Sequence, residues 1–71
     1  MRQDKNQFAK EIFKLNMMLY SESYNVYDSY AEVCMLLGED ELAIEYYQKS
    51  LDLNPENRHA NHQIEKIKEG Q

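Results

Sequence analysis

Apolar residues recur along this chain at intervals of three and four, the spacing that places side chains on one face of an α-helix. A first helix is predicted at about residues 4–20, where the apolar positions are Phe8, Ile12, Leu15, Met18 and Leu19. A second helix is predicted at about 24–37, with one face formed by Tyr27, Tyr30, Ala31 and Cys34. Between them, the hydroxyl of Ser23 is a candidate N-cap for the second helix.

Gly38 is placed to end the second helix in a left-handed conformation. A third helix is predicted at about 40–53, and its inner face consists of Ala43, Tyr47 and Ser50. The small residues Ala31, Ala43 and Ser50 would allow the second and third helices to approach closely. We therefore expect Tyr27, Ala31, Ala43 and Tyr47 to be close together and mostly buried.

The last predicted helix covers about residues 57–69 and carries Ala60, Ile64 and Ile67 on an otherwise polar surface. The sequence leaves two alternatives for the start of this helix. Either Asn54 caps the helix with Pro55 in the first turn, or Asn57 caps it after a short turn. With this helix the sequence predicts an all-α fold of four helices.

The first and third helices echo each other at a fixed offset of 34 residues, as from Phe8 to Leu42. The first-helix residues that recur in this way are Phe8, Ala9, Glu11, Phe13 and Leu19, and their counterparts are Leu42, Ala43, Glu45, Tyr47 and Leu53. A repeat of this length is typical of helix–turn–helix units that bury their apolar faces against one another. The chain is therefore predicted to be a stack of helical hairpins.

Residues 24–57 resemble a tetratricopeptide repeat (TPR). The matching positions are, in order, Tyr27, Ala31, Gly38, Ala43, Tyr47, Ser50 and Pro55. Departures from the family pattern are Tyr30, Cys34 and Asp40. The resemblance implies antiparallel hairpins in a short right-handed superhelical stack. Within a single domain, residues 4–20 would be the second helix of a partial repeat, 24–57 a complete repeat and 58–70 a capping helix. It also implies a non-catalytic module that binds a protein or peptide partner.

Segments 13–16 and 25–30 are similar to repeats appended behind the catalytic domain of bacterial serine hydrolases of esterase or β-lactamase-like type. This second resemblance implies an alternative function, a C-terminal structural or dimerising tail of such an enzyme. The chain's own serines do not suggest catalysis. Ser29 follows Asp28, but no strand–turn–helix elbow surrounds it and no histidine is near in sequence.

Composition narrows the remaining classes of function. The chain has 71 residues, of which 42% are hydrophobic and 30% charged, a balance that suits one small soluble domain. Its net charge of −5 and the lack of a basic cluster argue against nucleic acid as a partner. No apolar run is long enough to span a membrane, and the first seven residues are too polar for a secretory signal. A cytoplasmic location is the default expectation.

Few residues suggest metal or redox chemistry, and we expect no cofactor. His59, His62 and Glu65 follow one another at intervals of three, so they could share a helix face and hold a divalent cation. Two surface histidines on a polar helix are the favoured interpretation, because structural zinc needs further ligands. Cys34 lies on the face of Tyr27 and Ala31, which favours a buried small side chain over a reactive thiol.

The TPR resemblance implies a concave peptide-binding face formed by the first helices of successive repeats. The candidate residues on this face are Asn25, Asp28, Ser29, Glu32, Met35, His59, His62 and Lys66. Family members that clamp a C-terminal carboxylate use Lys and Asn there, whereas Asp28 and Glu32 would repel a carboxylate. A solvated acidic face is the favoured interpretation, because barely one and a half repeats are a small basis for a true groove.

The first helix carries more apolar surface than one neighbouring helix can cover. A stripe of Phe8, Ile12, Leu15 and Leu19 is expected to face solvent, and monomers rarely expose a large apolar patch. Two chains could bury it by pairing their first helices about a two-fold axis, or by exchanging helices. The sequence thus predicts a homodimer that Ile12→Glu together with Leu19→Glu would dissociate.

Overall fold

The computed structural model describes residues 5–70 and contains, in that range, four helices and no strand. They are α1 (Lys5–Leu19), α2 (Tyr24–Leu36), α3 (Asp40–Leu53) and α4 (Arg58–Glu69). This confirms the all-α prediction, and the predicted boundaries agree with the observed ones to within a residue or so. The predicted start of the first helix at residue 4 lies outside the described residues.

Consecutive helices pack against each other, α1 on α2, α2 on α3 and α3 on α4. The Cα trace is flat, measuring 39 × 31 × 14 Å. Each of the three connections is short, so neighbours along the chain are also neighbours in space. The fold is therefore a stack of helical hairpins in chain order.

The core is a single cluster to which every helix contributes. Its members are Met17 from α1, Tyr30, Ala31 and Cys34 from α2, Ala43 and Tyr47 from α3, and Ala60, Ile64 and Ile67 from α4. Ala31, Ala43 and Tyr47 are completely buried, as predicted. Small residues at the α2–α3 contact leave room for the Tyr47 ring.

Tyr27 is half-buried, so the prediction that it would be mostly buried is only partly met. Its ring stacks parallel to Tyr46 at a centroid distance of 6.3 Å, and its hydroxyl donates a 2.8 Å hydrogen bond to the Ser21 carbonyl. A tyrosine with a buried ring and a wet hydroxyl is stable at the edge of a core. Tyr27 thus closes the core beside the α1–α2 loop.

Helix α1 differs most from expectation. Among the residues of α1 whose burial is described, Met17 is the one buried apolar residue, and Phe13 is half-buried beside the core. Neither residue belongs to the face that the sequence pattern singled out. A further link from α1 is the ion pair between Lys10 Nζ and Glu39, 2.7 Å from Oε1. The hydrogen bond to Glu39 raises the pKa of Lys10.

Of the N-caps of α2, α3 and α4, only that of α4 makes a side-chain capping hydrogen bond. Ser23 occupies the N-cap position of α2, but its hydroxyl makes no capping hydrogen bond, so the predicted role of that hydroxyl was wrong. Asn57 caps α4, because its side chain accepts a 3.3 Å hydrogen bond from the Ala60 amide. Asn54 instead accepts from the Glu56 amide within the turn. The structure therefore selects the second alternative.

Gly38 ends α2 with φ +80°. The Gly38 amide donates to the Met35 carbonyl and the Glu39 amide donates to the Cys34 carbonyl, which together form a Schellman motif. The prediction of a left-handed residue is confirmed. Gly38 can take this conformation because it has no Cβ.

Gly38→Ala is expected to lower the free energy of unfolding by about 1 kcal/mol, because a left-handed backbone strains any residue with a Cβ. Space is not the cause, since no atom lies within 4 Å of the added methyl group. Gly70→Ala is the matched control: Gly70 has φ −82° and its Cβ would make ordinary contacts. Urea unfolding of both variants checks this, and equal losses of stability would contradict it.

Candidate functional site

A buried hydrogen-bond network joins α2, α3 and the start of α4. Ser50 on α3 is completely buried, and its hydroxyl donates to the Tyr24 carbonyl over 2.9 Å. The Asn57 amide nitrogen donates to the Ser50 hydroxyl at 2.8 Å and to the Asp28 carboxylate at 2.9 Å. Because buried polar groups are costly without partners, these bonds fix α4 relative to α2.

Asp28 is also held by His59, the second residue of α4. The Nδ1 of His59 lies 3.0 Å and 3.1 Å from the two carboxylate oxygens of Asp28. The amide nitrogen of Gln63 lies 3.2 Å from His59 Nε2. Both ring nitrogens of His59 therefore lie within hydrogen-bond distance of protein groups. The side chain of Asp28 is 16% exposed and that of His59 is 47% exposed.

A core residue also contacts the His59 ring and fixes its orientation. The His59 ring stands edge-to-face against the Tyr47 ring with 5.9 Å between centroids, a favourable aromatic geometry. Burial raises the pKa of Tyr47, with smaller contributions from the charges of Asp28 and Glu32. Tyr47 therefore stays neutral, and its buried ring supports the His59 side chain.

We define the α2–α4 face as the eight residues that the sequence singled out for peptide binding. Asn25, Glu32, His62 and Lys66 are exposed, and Ser29 and Met35 are half-buried. Of the eight, the structure brings together only Asp28 and His59 in a direct polar contact. Glu32 and Lys66 make no ion pair within residues 5–70, so their charges are available to a partner.

The metal interpretation of His59, His62 and Glu65 gains no support. Both His59 ring nitrogens face protein groups, Asp28 on one side and Gln63 on the other. Among the described residues, no three histidine, cysteine or carboxylate side chains are arranged to hold a metal ion. We expect a chelator to leave the melting temperature unchanged, as followed by circular dichroism. A drop of several degrees would contradict this, because metal release destabilises a protein that depends on its metal.

Cys34 is completely buried in the core. Burial is the main reason that the pKa of its thiol is raised. A thiol with a raised pKa carries little of the reactive thiolate at neutral pH. The structure thus places Cys34 as a small core residue, in agreement with the interpretation of the sequence.

The α1 stripe, defined as Phe8, Ile12, Leu15 and Leu19, lies on the surface. These side chains are 58%, 45%, 55% and 66% exposed, and the adjacent Met18 is 74% exposed. The stripe is on the side of α1 opposite Met17, which enters the core. The four residues singled out for self-association are therefore together on one accessible face.

Sequence reasoning missed the part played by Asn57, which was considered only as a helix cap. It is 9% exposed and satisfies three polar groups from three different residues. An asparagine seven residues after a small polar residue in a repeat is too weak a signal to predict such a network. The ion pair between Lys10 and Glu39 joins residues 29 positions apart, and no pattern in the sequence predicts it.

Comparisons with protein-family models, with curated proteins and with solved structures gave no match. Within residues 5–70, none of the helices has both the length and the apolar composition needed to cross a bilayer. The α2–α4 face and the α1 stripe are the two surfaces of the described residues that suggest a function.

Proposed function

We propose that this chain is a TPR-like, non-catalytic protein–protein interaction module whose α2–α4 face binds a peptide segment of a partner. In this proposal α1 is the second helix of a partial repeat, α2 and α3 form a complete repeat, and α4 is the cap of a short right-handed superhelical stack. Support comes from the burial of the small and aromatic positions that the repeat pattern requires, Ala31, Ala43, Tyr47 and Ser50.

The observation that carries the proposal is the rigid link between α2 and α4. Asp28 binds both Asn57 and His59, so the side chain of one α2 residue is linked directly to the start of α4, a helix that is not its neighbour in the chain. Asn25, Glu32, His62 and Lys66 remain exposed around this link. A preorganised surface with unpaired polar groups suits peptide recognition, because little side-chain ordering is needed on binding.

The charges favour a partner with a basic residue over a free carboxylate terminus. The Asp28 carboxylate already accepts hydrogen bonds from Asn57 and His59, whereas Glu32 is exposed and unpaired within the described residues. An accessible glutamate attracts lysine or arginine and repels a carboxylate. We therefore expect Glu32 to select for a basic side chain in the bound peptide.

A random-peptide display selection followed by fluorescence anisotropy tests this function. Selected peptides should be enriched in lysine or arginine, and Glu32→Lys should weaken their binding by about tenfold or more, the scale of one lost charge-assisted contact. Glu45→Lys on α3 is the matched control, since it makes the same charge change at another exposed site. Equal binding by the two variants, or no enriched peptide, would contradict the proposal.

A second candidate function is a structural or dimerising tail of a larger enzyme. One observation favours it, namely the exposed α1 stripe, which could dock on another folded surface. In that case the α2–α4 face would bind no peptide, and Glu32→Lys would have no effect on any interaction.

A further inference from the structure

The α1 stripe is a straight apolar ridge. Its residues follow spacings of four, three and four, so at 3.6 residues per turn they lie within about 60° of arc. Met17 lies on the opposite side of the helix and enters the core. Helix α1 is therefore apolar on two opposite sides, and α2 covers only one of them.

The internal repeat indicates what kind of element fits this ridge. Ile12 corresponds to Tyr46 in α3, by the same offset that relates Phe8 to Leu42. Tyr46 contacts the preceding helix, where its ring meets Tyr30 edge-on at 4.7 Å and stacks with Tyr27 at 6.3 Å. Ile12 is thus the counterpart of a residue that packs against a helix in α3, whereas Leu15 and Leu19 correspond to the exposed residues Lys49 and Leu53.

The size of the ridge suits a weak dimer. The exposed fractions of the four stripe residues amount to roughly 400 Å² of apolar surface, about half of the 800 Å² that each partner buries in a standard interface. The ridge positions themselves carry no charge that would have to be desolvated. A patch of this size is within the range of the largest apolar patches on monomers, which often have a function.

We propose that a second copy of this chain covers the stripe, with the two α1 helices packed antiparallel about a two-fold axis. The spacing of four, three and four reads the same in both directions, so the ridge is self-complementary under that rotation. In this register Phe8 packs on Leu19 of the partner subunit, and Ile12 packs on Leu15 of the partner subunit. The α1 helix of each chain then covers the stripe of the other.

This inference goes beyond the proposed function and does not rest on it, because the α1 stripe and the α2–α4 face are separate surfaces. Loss of peptide binding in Glu32→Lys would leave the dimer intact. Equally, a monomeric chain could still bind a peptide. The two proposals can therefore fail independently.

Sedimentation equilibrium of the full 71-residue chain tests the dimer. Wild-type protein should pass from monomer to dimer between low and high micromolar concentration. Ile12→Glu should raise the dissociation constant of the dimer at least about 100-fold, because the single interface would bury two unpaired charges, one from each chain. Leu36→Glu is the matched control: Leu36 is 61% exposed on α2, outside the stripe, and the variant should dimerise like wild type.

A mixing experiment tests the register. Leu15→Lys alone should be monomeric, but an equal mixture of Ile12→Glu and Leu15→Lys should form a heterodimer, because the two new charges face each other. A mixture of Ile12→Glu with Leu19→Lys should not form a heterodimer, because position 19 faces Phe8 of the partner subunit in the proposed register. Circular dichroism confirms that each variant keeps its helical content.

Several outcomes would overturn the proposal. A wild-type chain that remains monomeric at high micromolar concentration excludes the pairing whether or not the variants fold. A dimer that persists in Ile12→Glu would mean that the chains exchange helices or pair through another surface. Equal association in both mixtures would exclude the antiparallel register.

Discussion

Tyr47→Ala is expected to lower the free energy of unfolding by about 3–5 kcal/mol, the loss typical of truncating a large buried aromatic side chain. Tyr47 is completely buried and contacts His59, and it lies between residues of α2 and α4 in the core. Small domains are near the lower end of the usual stability range of about 5–15 kcal/mol. The variant should therefore be largely unfolded, as measured by circular dichroism in urea.

Tyr47→Phe separates the ring from the hydroxyl. Within the described part of the chain the Tyr47 hydroxyl is buried and has no hydrogen-bond partner. Its removal leaves no other group unsatisfied, so the phenylalanine variant should match wild type or exceed it by up to about 1 kcal/mol. A phenylalanine variant as unstable as the alanine variant would show that the hydroxyl, and not ring packing, stabilises the fold.

Asn57→Ala is expected to lower the free energy of unfolding by about 2–4 kcal/mol, because the substitution removes a helix cap together with one buried and one partly buried hydrogen bond. Ser50 would lose a donor, Asp28 would lose one of its partners, and the Ala60 amide would lose its acceptor. The same change should loosen α4, which hydrogen exchange of the Ile64 and Ile67 amides would detect.

Asn54→Ala is the matched control for this prediction. Asn54 accepts one 3.3 Å hydrogen bond, from the Glu56 amide in an exposed turn. Its loss should cost less than about 1 kcal/mol, since water can replace an exposed partner. If the two asparagine variants were equally stable, the network around Asn57 would not be what holds α4.

The α2–α3 hairpin was predictable because several independent signals agree there. Periodicity placed Ala31, Ala43 and Tyr47 on facing sides, and all three are buried. The glycine at position 38 predicted the turn, and in the structure it has the left-handed conformation that ends α2. Apolar periodicity and turn residues depend on positions that are close together in the chain, so they can be recognised from the sequence alone.

Helix α1 shows where periodicity alone is ambiguous. Phe8, Ile12, Leu15 and Leu19 form the more regular apolar pattern, yet Met17 enters the core and the regular face is exposed. A helix with apolar residues on both sides does not reveal which side its neighbour covers. The offset to α3 matches Phe13 with the buried Tyr47, and that relation is the signal that identifies the inner side.

The candidate site was only partly predictable for a different reason. Asp28 and His59 were both singled out, but their contact joins residues 31 positions apart on different helices. Such a contact depends on the angle at which α4 packs, which is set by Asn57 and Ser50. The choice of Asn57 over Asn54 as cap follows from the same packing.

The most direct test of the account is a nuclear magnetic resonance titration of isotope-labelled chain with the strongest peptide from the display selection. The amide signals of Asn25, Ser29, Glu32, His62 and Lys66 should shift, while those of the α1 stripe should not. That result would place the peptide on the surface held together by Asp28, Asn57 and His59. Shifts confined to Phe8, Ile12, Leu15 and Leu19, with none on α2 or α4, would contradict the account.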